Sequence, residues 1–565
     1  MKIISLLKKY WPIVLVLFIG SFFRLYGLLQ NPISLYSDEV DIGYQVQSLL
    51  KTGCDYTGVC IPIQFHSFSD TRTPLPIYFT ALIHLVGVPL DYAIRFSSAL
   101  FGILGILATY FFLENLNSKK IFNLDLSGLG ILGAIILSLI PWHLTYSRIG
   151  FELSALYFFV IFGLYLYTQY QIEAKNKYLY LSALFLGLTP MVYSTAKMAV
   201  LAFPLVILIL SGLNLKNFRN IKTIYFLLIL TLPFLILLIN GGAASRFQYI
   251  SVFTDPTAST EVSYQRRLDA GPAAQVGTAP SLITNLFHNK PLWYGNNVIN
   301  NAFNLISTDF LFINGDPNLR HSPANWGMLY KSLFPLLIVG IYYLVRNRNE
   351  RLLFVLLIIA GIAVSTSSIT RDGGSHASRS FLMIVPLVIL SAIGLSYLNK
   401  IQKFIFYIAS FFVIIESVFF IHDYWFHYRF ASERDWNAGM KDLINSTKKY
   451  PSQSIVISSK YENPLIFYLY YTQFDPKKFQ RYVKSNTVYN SISSAYNFNG
   501  NRIGDSNFYI GSLSDENGNY KNTIPNSVYY LTRAEVEKTN VSSSASISAI
   551  IKLPTGDPLF YEVHF

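Results

Sequence analysis

The sequence predicts an α-helical protein that crosses a membrane many times and ends in a small α/β domain. Of its 565 residues, 52% are hydrophobic and only 13% are charged, whereas about a quarter of an average soluble domain is charged. Long apolar runs recur as far as residue 422. Beyond it the chain becomes rich in Ser, Asn, Tyr and Lys, and it has no run that could span a membrane.

This composition also excludes other classes of protein. The apolar content is too high for an intrinsically disordered chain. Two cysteines are too few for a scaffold held together by disulfides. The net charge of +13 raises the question of nucleic-acid binding. The positions of the basic residues relative to the apolar runs decide that question.

Apolar runs of roughly 17 to 25 residues are long enough to cross a bilayer as helices. The first run lacks a cleavage site with small residues, so we expect a retained helix rather than a signal peptide. We predict about eleven spanning helices from their length and hydropathy. They lie near residues 11–29, 92–113, 128–146, 153–172, 179–195, 197–212, 223–240, 331–345, 352–368, 381–398 and 404–422.

The basic residues predict the orientation of these helices. If the N-terminus is cytoplasmic, every inner connection is short and basic, as the positive-inside rule requires. The residues concerned are Lys2, Lys8, Lys9, Lys119, Lys120, Lys175, Lys177, Lys216, Arg219, Lys222, Arg346, Arg348, Arg351, Lys400 and Lys403. Most of the positive charge therefore predicts contact with the lipid bilayer, not with nucleic acid.

We therefore predict a multi-pass protein of the plasma membrane with two domains. Residues 1–422 form the membrane domain, whose long outer loops are 30–91, 241–330 and 369–380. Residues 423–565 form an extracytoplasmic domain, in which Ser454–Ser458 and Val528–Leu531 are typical of strands. Cys54 and Cys60 lie in the first outer loop, where either a disulfide or two thiols is compatible with the compartment.

Charged residues beside apolar runs are energetically expensive and are candidates for function. On the predicted outer side, residues 37–41 (SDEVD) place three carboxylates just after the first helix. Residues 70–76 (DTRTPLP) follow in the same loop, where the prolines predict a turn before an interfacial helix. Further candidates occur along the outer segments: Arg95, His143, Arg148, Glu152, Lys197, His321 and Arg379.

A few carboxylates near several cations suit the transfer of a sugar from a lipid-linked phosphate. Arginine binds phosphate through two parallel hydrogen bonds. One carboxylate can act as a general base on the acceptor hydroxyl. Direct displacement with inversion requires one such base, not the carboxylate pair of hydrolytic glycosidases.

Each candidate also has a structural interpretation. Asp38 and Glu39 can cap a helix, and Arg148 can pair with Glu152 four residues later. Lys197 can serve as an interfacial anchor, and the histidines can be ordinary hydrogen-bonded loop residues. Neither His nor Cys occurs at zinc-binding spacing, so the sequence predicts no metal site.

Two sets of motifs carry a resemblance to known enzymes. The arrangement Arg24…Pro32…Asp38-Glu39…Gly43, followed by residues 70–76, resembles the dolichyl-phosphate-mannose protein mannosyltransferases. These belong to glycosyltransferase family 39 and to the wider GT-C fold. Residues 141–152, 310–321 and 376–380 are similar to bacterial relatives, a group that includes the lipid A aminoarabinose transferase.

The resemblance implies a GT-C membrane glycosyltransferase that takes a hexose or pentose from a polyprenyl-phosphate donor and inverts the anomeric carbon. The acceptor would be an extracytoplasmic glycolipid, polysaccharide or protein. Asp38 would be the general base, and Glu39 would orient the acceptor or hold a divalent cation, the one cofactor left open. The candidates for the donor phosphate are Arg148, Lys197, Arg379, Arg95 and Arg72, and the supporting residues are Asp70, His143, Glu152 and His321.

Departures from the family leave the acceptor open. The second loop lacks the His-Pro-Pro of the eukaryotic mannosyltransferases, and the sequence shows no β-trefoil domain, so protein mannosylation is not implied. Two other functional classes stay open. One is a transporter or flippase of lipid-linked sugars, and the other is an O-antigen ligase or polymerase.

Overall fold

A computed structural model describes most of the chain. The described residues are 2–68, 71–212, 221–239, 250–271, 281–485, 501–502, 506–511, 526–538 and 546–564. Each predicted spanning segment overlaps a helix, although 128–146 and 179–195 are each divided between two helices. These helices are Lys2–Leu25, Leu90–Asn117, Leu129–Leu139, Leu153–Glu173, Asn176–Gly187, Ala196–Leu210, Ile221–Ile239, Leu333–Arg346, Glu350–Ser368, Ile384–Ile401 and Lys403–Asp423.

Length and composition divide the apolar helices of the described residues into two groups. Five helices are long and apolar enough to cross a membrane: Leu90–Asn117, Leu153–Glu173, Glu350–Ser368, Phe381–Ile401 and Lys403–Ala431. Shorter apolar helices are Tyr10–Leu25, Pro74–Leu85, Leu129–Leu139, Ala196–Leu210, Tyr225–Ile239 and Leu333–Arg346. The polytopic helical fold predicted from the sequence is confirmed.

Proline explains why one predicted segment, 128–146, is interrupted. The helix stops at Leu139, and Ile140 is extended with ψ 140°, because a residue before proline avoids the helical region. Pro141 then begins a short helix that ends at Tyr146, since a proline is tolerated at the first position of a helix.

The remaining helices are short or lie between the apolar ones. The α-helices are Ser37–Thr52, Pro74–Leu85, Pro141–Tyr146, Thr189–Val192, Thr257–Ala270, Leu282–Phe287, Lys290–Leu305, Arg429–Ala431, Met440–Thr447, Leu465–Tyr471, Pro476–Ser485 and Arg533–Lys538. Val252–Thr254 and Phe381–Met383 are 3₁₀ turns, and Asp309–Ile313 and Tyr424–Tyr428 are π-helical.

The chain forms two compact units. The first, here called the helical unit, comprises Met1–Phe23, Phe101–Tyr146 and Glu152–Phe420. The second, here called the mixed unit, comprises Arg24–Leu100, Ser147–Phe151 and Ile421–Phe565. The predicted domain boundary at residue 422 lies next to Ile421, but the mixed unit also takes in the whole of the predicted first outer loop, 30–91.

The mixed unit contains two sheets. Strands β1 (Phe65–His66) and β2 (Thr71–Arg72) form an antiparallel pair. The larger sheet has the order β4-β5-β3-β6-β8-β7, and β3 is parallel to both of its neighbours. Its strands are β3 Ser454–Ile457, β4 Asn501–Arg502, β5 Phe508–Ile510, β6 Ser527–Thr532, β7 Ser546–Lys552 and β8 Pro558–His564. The two predicted strands are therefore confirmed as β3 and β6.

One hydrophobic core joins this sheet to the helix Ser37–Thr52. Successive side chains of a strand point to opposite faces, so Ile455 and Ile457 enter the larger cluster of buried residues while Val456 enters a smaller one. Val40 and Tyr44 of the helix belong to the same larger cluster. The C-terminal sheet and the predicted first outer loop are thus parts of one folded body.

Glu39 and Arg95 form a fully buried ion pair in this body. Both side chains have no exposed surface. Glu39 Oε1 accepts hydrogen bonds from Arg95 Nε at 2.8 Å and from the Gly150 amide at 2.7 Å. Oε2 accepts from Arg95 Nη2 at 2.9 Å and from the Tyr36 amide at 3.0 Å. The carboxylate is therefore surrounded by donors, as a buried charge requires.

The guanidinium of Arg95 extends the same network to the turn after the first helix. Nη1 donates to Leu28 O at 3.0 Å and to Pro32 O at 2.7 Å, and Nη2 donates to Ser34 O. The Trp436 ring lies 5.6 Å from the guanidinium carbon, within the range of a cation–π contact. Segments far apart in the sequence are thus held by one charge pair.

Replacing Glu39 should destabilise the protein far more than replacing its neighbour. Glu39→Gln leaves the buried Arg95 without a charge partner, and breaking a buried pair costs about 3–5 kcal/mol. Asp38→Asn is the matched control, since the Asp38 side chain is 45% exposed. We expect a clearly lower midpoint of thermal unfolding in detergent for Glu39→Gln alone. Equal midpoints for the two variants would contradict this assignment.

Cys54 and Cys60 form a disulfide, which resolves the alternative left open by the sequence. The protein purified from membranes should therefore resist maleimide labelling when it is denatured without a reductant. Cys54→Ser should make Cys60 reactive and add one label. Intact mass spectrometry measures both results. Two labels on the unreduced wild-type protein would show that the bond does not form.

Candidate active site

Two carboxylates and one arginine form a chain of ion pairs in the mixed unit. Asp38 and Asp41 are three residues apart on one helix, so they lie on the same face. Arg72, in β2, donates from Nη2 to Asp38 Oδ1 at 2.7 Å and from Nε to Asp41 Oδ2. The exposed fractions of the side chains are 45% for Asp38, 14% for Arg72 and 4% for Asp41. Of the two carboxylates bonded to Arg72, Asp38 is thus the one that solvent or a substrate can reach.

The start of the helix Ser37–Thr52 is held by side chains on both of its first amides. The Ser37 amide donates to Asn437 Oδ1 at 3.1 Å, and the Tyr36 amide donates to Glu39 Oε2. These two backbone donors are therefore satisfied by the side chains of Asn437 and Glu39. A carboxylate in the first turn also interacts favourably with the helix dipole.

Asp41 and Tyr56 support Arg72 from the interior. The Tyr56 hydroxyl donates to Asp41 Oδ1 at 2.8 Å, and its ring stacks on Phe68 with centroids 5.1 Å apart. Burial raises the pKa of the Asp41 carboxyl, and the charge of Arg72 opposes that rise. Sequence reasoning assigned no role to Asp41 or Tyr56. The spacing between Asp38 and Asp41 was the signal that could have identified Asp41.

Arg148 occupies a structural position in the same unit. It is fully buried, and Nη2 donates to Gly27 O at 3.1 Å and to Asn31 O at 3.0 Å. Its guanidinium carbon lies 4.6 Å from the centroid of the Trp425 ring. Burial lowers the pKa of Arg148. These contacts support the turn after the first helix, and the role of Arg148 as a phosphate ligand stays a prediction.

Arg24 adds a second buried guanidinium at this turn. Like Arg148, it is fully buried and belongs to the mixed unit. A charge that is removed from water is stabilised by a partner of opposite charge.

The other predicted site residues belong to the helical unit. Lys197 is buried in the first turn of Ala196–Leu210. Arg379 Nη1 donates to Thr370 Oγ1 at 2.7 Å. His143 is fully buried against the Tyr157 ring, with centroids 5.1 Å apart. Glu152 is half-buried just before the helix Leu153–Glu173.

Two residues complete the set predicted from the sequence. His321 Nδ1 lies 2.8 Å from Asp316 Oδ2, in the helical unit. Asp70 lies outside the described residues. The structure therefore groups Asp38, Glu39, Arg72, Arg95 and Arg148 in the mixed unit and the remaining described residues in the helical unit.

A groove of about 600 Å³ also opens in the mixed unit. Its lining includes Asp91 and the rings of Tyr470 and Tyr471. The Tyr470 hydroxyl donates to Asp91 Oδ1, and Lys441 Nζ lies 3.0 Å from Asp91 Oδ2. Aromatic surface with a few fixed polar groups is typical of sites for small organic ligands.

Comparison with known proteins gives no match to a family model or to a curated protein. Solved structures do match. ArnT from Cupriavidus metallidurans, bound to undecaprenyl phosphate, is 11% identical with a TM-score of 0.53, and the match covers 98% of each chain.

Two further matches are weaker. The oligosaccharyltransferase AglB from Archaeoglobus fulgidus, solved with an inhibitory peptide and a dolichol-phosphate, is 13% identical with a TM-score of 0.47. That match covers 82% of this chain and spans 64% of the length of AglB. The Pmt1-Pmt2 O-mannosyltransferase complex of S. cerevisiae, bound to the sugar donor, is 17% identical with a TM-score of 0.33. That match covers 44% of this chain and 36% of the matched chain. The match to ArnT over the whole length shows that this chain has the GT-C fold.

Proposed function

We propose that this protein is a membrane glycosyltransferase that transfers a sugar from a polyprenyl-phosphate donor to an extracytoplasmic acceptor. The observation that carries the proposal is the half-exposed carboxylate of Asp38, held by Arg72 on an otherwise buried network. The shared fold with ArnT, which was solved with undecaprenyl phosphate, supports the class of donor.

In this mechanism Asp38 acts as the general base. An acceptor hydroxyl gives its proton to the Asp38 carboxylate while its oxygen bonds to the anomeric carbon of the sugar. The bond between that carbon and the phosphate oxygen breaks on the opposite face, and polyprenyl phosphate leaves with the bonding electrons. One displacement inverts the anomeric carbon, and solvent later takes the proton from Asp38.

Arg72 is a positioning residue for this step. It bonds to both Asp38 and Asp41, so it fixes the direction of the Asp38 carboxylate. Tyr56 and Asp41 hold Arg72 in turn. A general base acts efficiently only when its orientation toward the reactant is fixed, and these contacts fix the orientation of the Asp38 carboxylate.

Glu39 contributes by holding the site rather than by contacting the acceptor. Each of its two carboxylate oxygens already accepts two hydrogen bonds within the protein. Contact with a substrate or a cation would require some of them to break. We therefore propose a structural role for Glu39 and leave the base to Asp38.

The donor phosphate requires positive charge. The buried guanidinium groups of Arg24 and Arg148 are candidates to supply part of it. Lys197 and Arg379, in the helical unit, remain proposed phosphate ligands. The groove beside Asp91 and Tyr471 is a proposed binding place for the acceptor, because its rings and polar groups suit a hydroxyl-rich molecule.

Asp38→Asn should lower sugar transfer by about 10²- to 10⁴-fold, the usual contribution of a general base. Proteoliposomes with a panel of radiolabelled polyprenyl-phosphate sugars and host membrane extract as the acceptor would measure transfer. Thermal unfolding and binding of polyprenyl phosphate should stay close to wild type. Asp125→Asn is the matched control, since Asp125 is an exposed carboxylate paired with Lys400. Unchanged transfer by Asp38→Asn would refute the mechanism, and movement of donor without covalent transfer would identify a flippase.

Arg72→Lys separates positioning of the base from binding of the phosphate. Lysine keeps the charge but cannot bridge two carboxylates as the guanidinium does. If Arg72 positions Asp38, kcat should fall by about tenfold or more, equivalent to ~1.4 kcal/mol, while the KM for the donor stays unchanged. Arg533→Lys, in an exposed pair with Glu537, is the control. A raised donor KM with unchanged kcat would instead make Arg72 a phosphate ligand.

A further inference from the structure

Three side chains of the helical unit converge at a point that the proposed mechanism does not use. Asp316, His321 and His376 each direct one ligand atom to a common place, and these atoms lie within 4.8 Å of one another. The two imidazole rings have centroids 4.8 Å apart and are tilted by 36°. The Asp316 side chain is 4% exposed, that of His321 is 12% exposed, and His376 is half-buried, so the cluster is shielded mainly on the Asp316 side.

The backbone holds the Asp316 carboxylate in place. Oδ1 accepts from the Asn318 amide at 2.9 Å, and Oδ2 accepts from the Ala377 amide at 2.8 Å. Gly315, with φ 72°, provides the left-handed turn that leads into Asp316. The carboxylate is therefore fixed by both segments of the cluster before any ligand binds.

The histidines are also oriented by their neighbours. His321 Nδ1 lies 2.8 Å from Asp316 Oδ2, so one ion can bind both atoms once the proton between them is lost. His376 Nδ1 lies 2.9 Å from Ser378 Oγ. When Nδ1–H donates to that hydroxyl, Nε2 keeps its lone pair for a metal. The Tyr146 ring stacks beside His321, with centroids 6.3 Å apart, and limits its movement.

The types of ligand select the class of ion. Two imidazoles and one carboxylate suit Zn²⁺ and similar transition metals, whereas Mg²⁺ and Ca²⁺ prefer oxygen ligands. Bonds of about 2.0–2.1 Å require small side-chain rotations that bring the ligand atoms closer together. Three protein ligands leave a fourth position, which in tetrahedral sites is taken by water or by an oxygen of a ligand.

We propose that Asp316, His321 and His376 bind one divalent transition metal ion of the Zn²⁺ class with an exchangeable fourth position. The ion joins the segment around Asp316 to the segment around His376. Sequence spacing alone predicts no metal site, because the third ligand comes from a segment far along the chain. The proposal does not depend on the transferase function, since metal binding is measured without turnover.

Metal content tests the proposal directly. The full-length protein, purified in detergent after exposure to Zn²⁺ and removal of the excess, should carry about one zinc ion per chain by inductively coupled plasma mass spectrometry. His321→Asn and His376→Asn should each weaken binding by about 10- to 100-fold or more and lose most of the ion. His288→Asn is the matched control, because His288 pairs with Asp269 outside the cluster and its loss should leave the content unchanged.

A second measurement uses the wild-type protein, so it does not depend on how the variants fold. Zn²⁺ should raise the midpoint of thermal unfolding, and a chelator should reverse the shift. Co²⁺ bound in place of Zn²⁺ should give the visible absorption of a four-coordinate site. Wild-type protein without bound zinc, or variants that retain it, would overturn the proposal. A Co²⁺ spectrum typical of six-coordinate oxygen ligation would also overturn it.

Discussion

The buried ion pair between Glu39 and Arg95 is the constraint on which the mixed unit depends. Taking two charges out of water is costly, and only close geometry with further hydrogen bonds compensates for it. Here the carboxylate accepts from two backbone amides as well as from Arg95, and the guanidinium reaches three carbonyl oxygens of the turn after the first helix. The pair therefore fixes where the helix Ser37–Thr52 begins and which way it faces.

That orientation gives neighbouring carboxylates different tasks. Adjacent residues of a helix point in different directions, whereas residues three apart share a face. Because Glu39 points into the core, Asp38 and Asp41 point together at Arg72. Asp38 and Asp41 differ in burial, because Asp41 is enclosed with Tyr56 while Asp38 stays half-exposed. A structural carboxylate, a supporting one and an accessible one thus arise from four consecutive positions.

Much of this could be predicted from the sequence, because it depends on local pattern. Apolar runs predicted where the apolar helices lie, and short β-like runs predicted strands β3 and β6. The carboxylates after the first helix were identified as candidates because charge is rare in this chain. The rest depends on contacts between distant segments. Residue spacing does not predict that Arg148 is buried against Trp425 or that His321 lies beside His376.

The most direct test of this account is a structure of full-length Asp38→Asn with a polyprenyl-phosphate sugar bound. We expect Arg95 to stay bonded to Glu39 and residue 38 to face the side of the anomeric carbon opposite the phosphate. An acceptor hydroxyl placed on that side would lie within about 3 Å of residue 38 and of the anomeric carbon. A donor phosphate bonded to Arg95 in place of Glu39 would contradict the separation of the structural carboxylate from the reacting one.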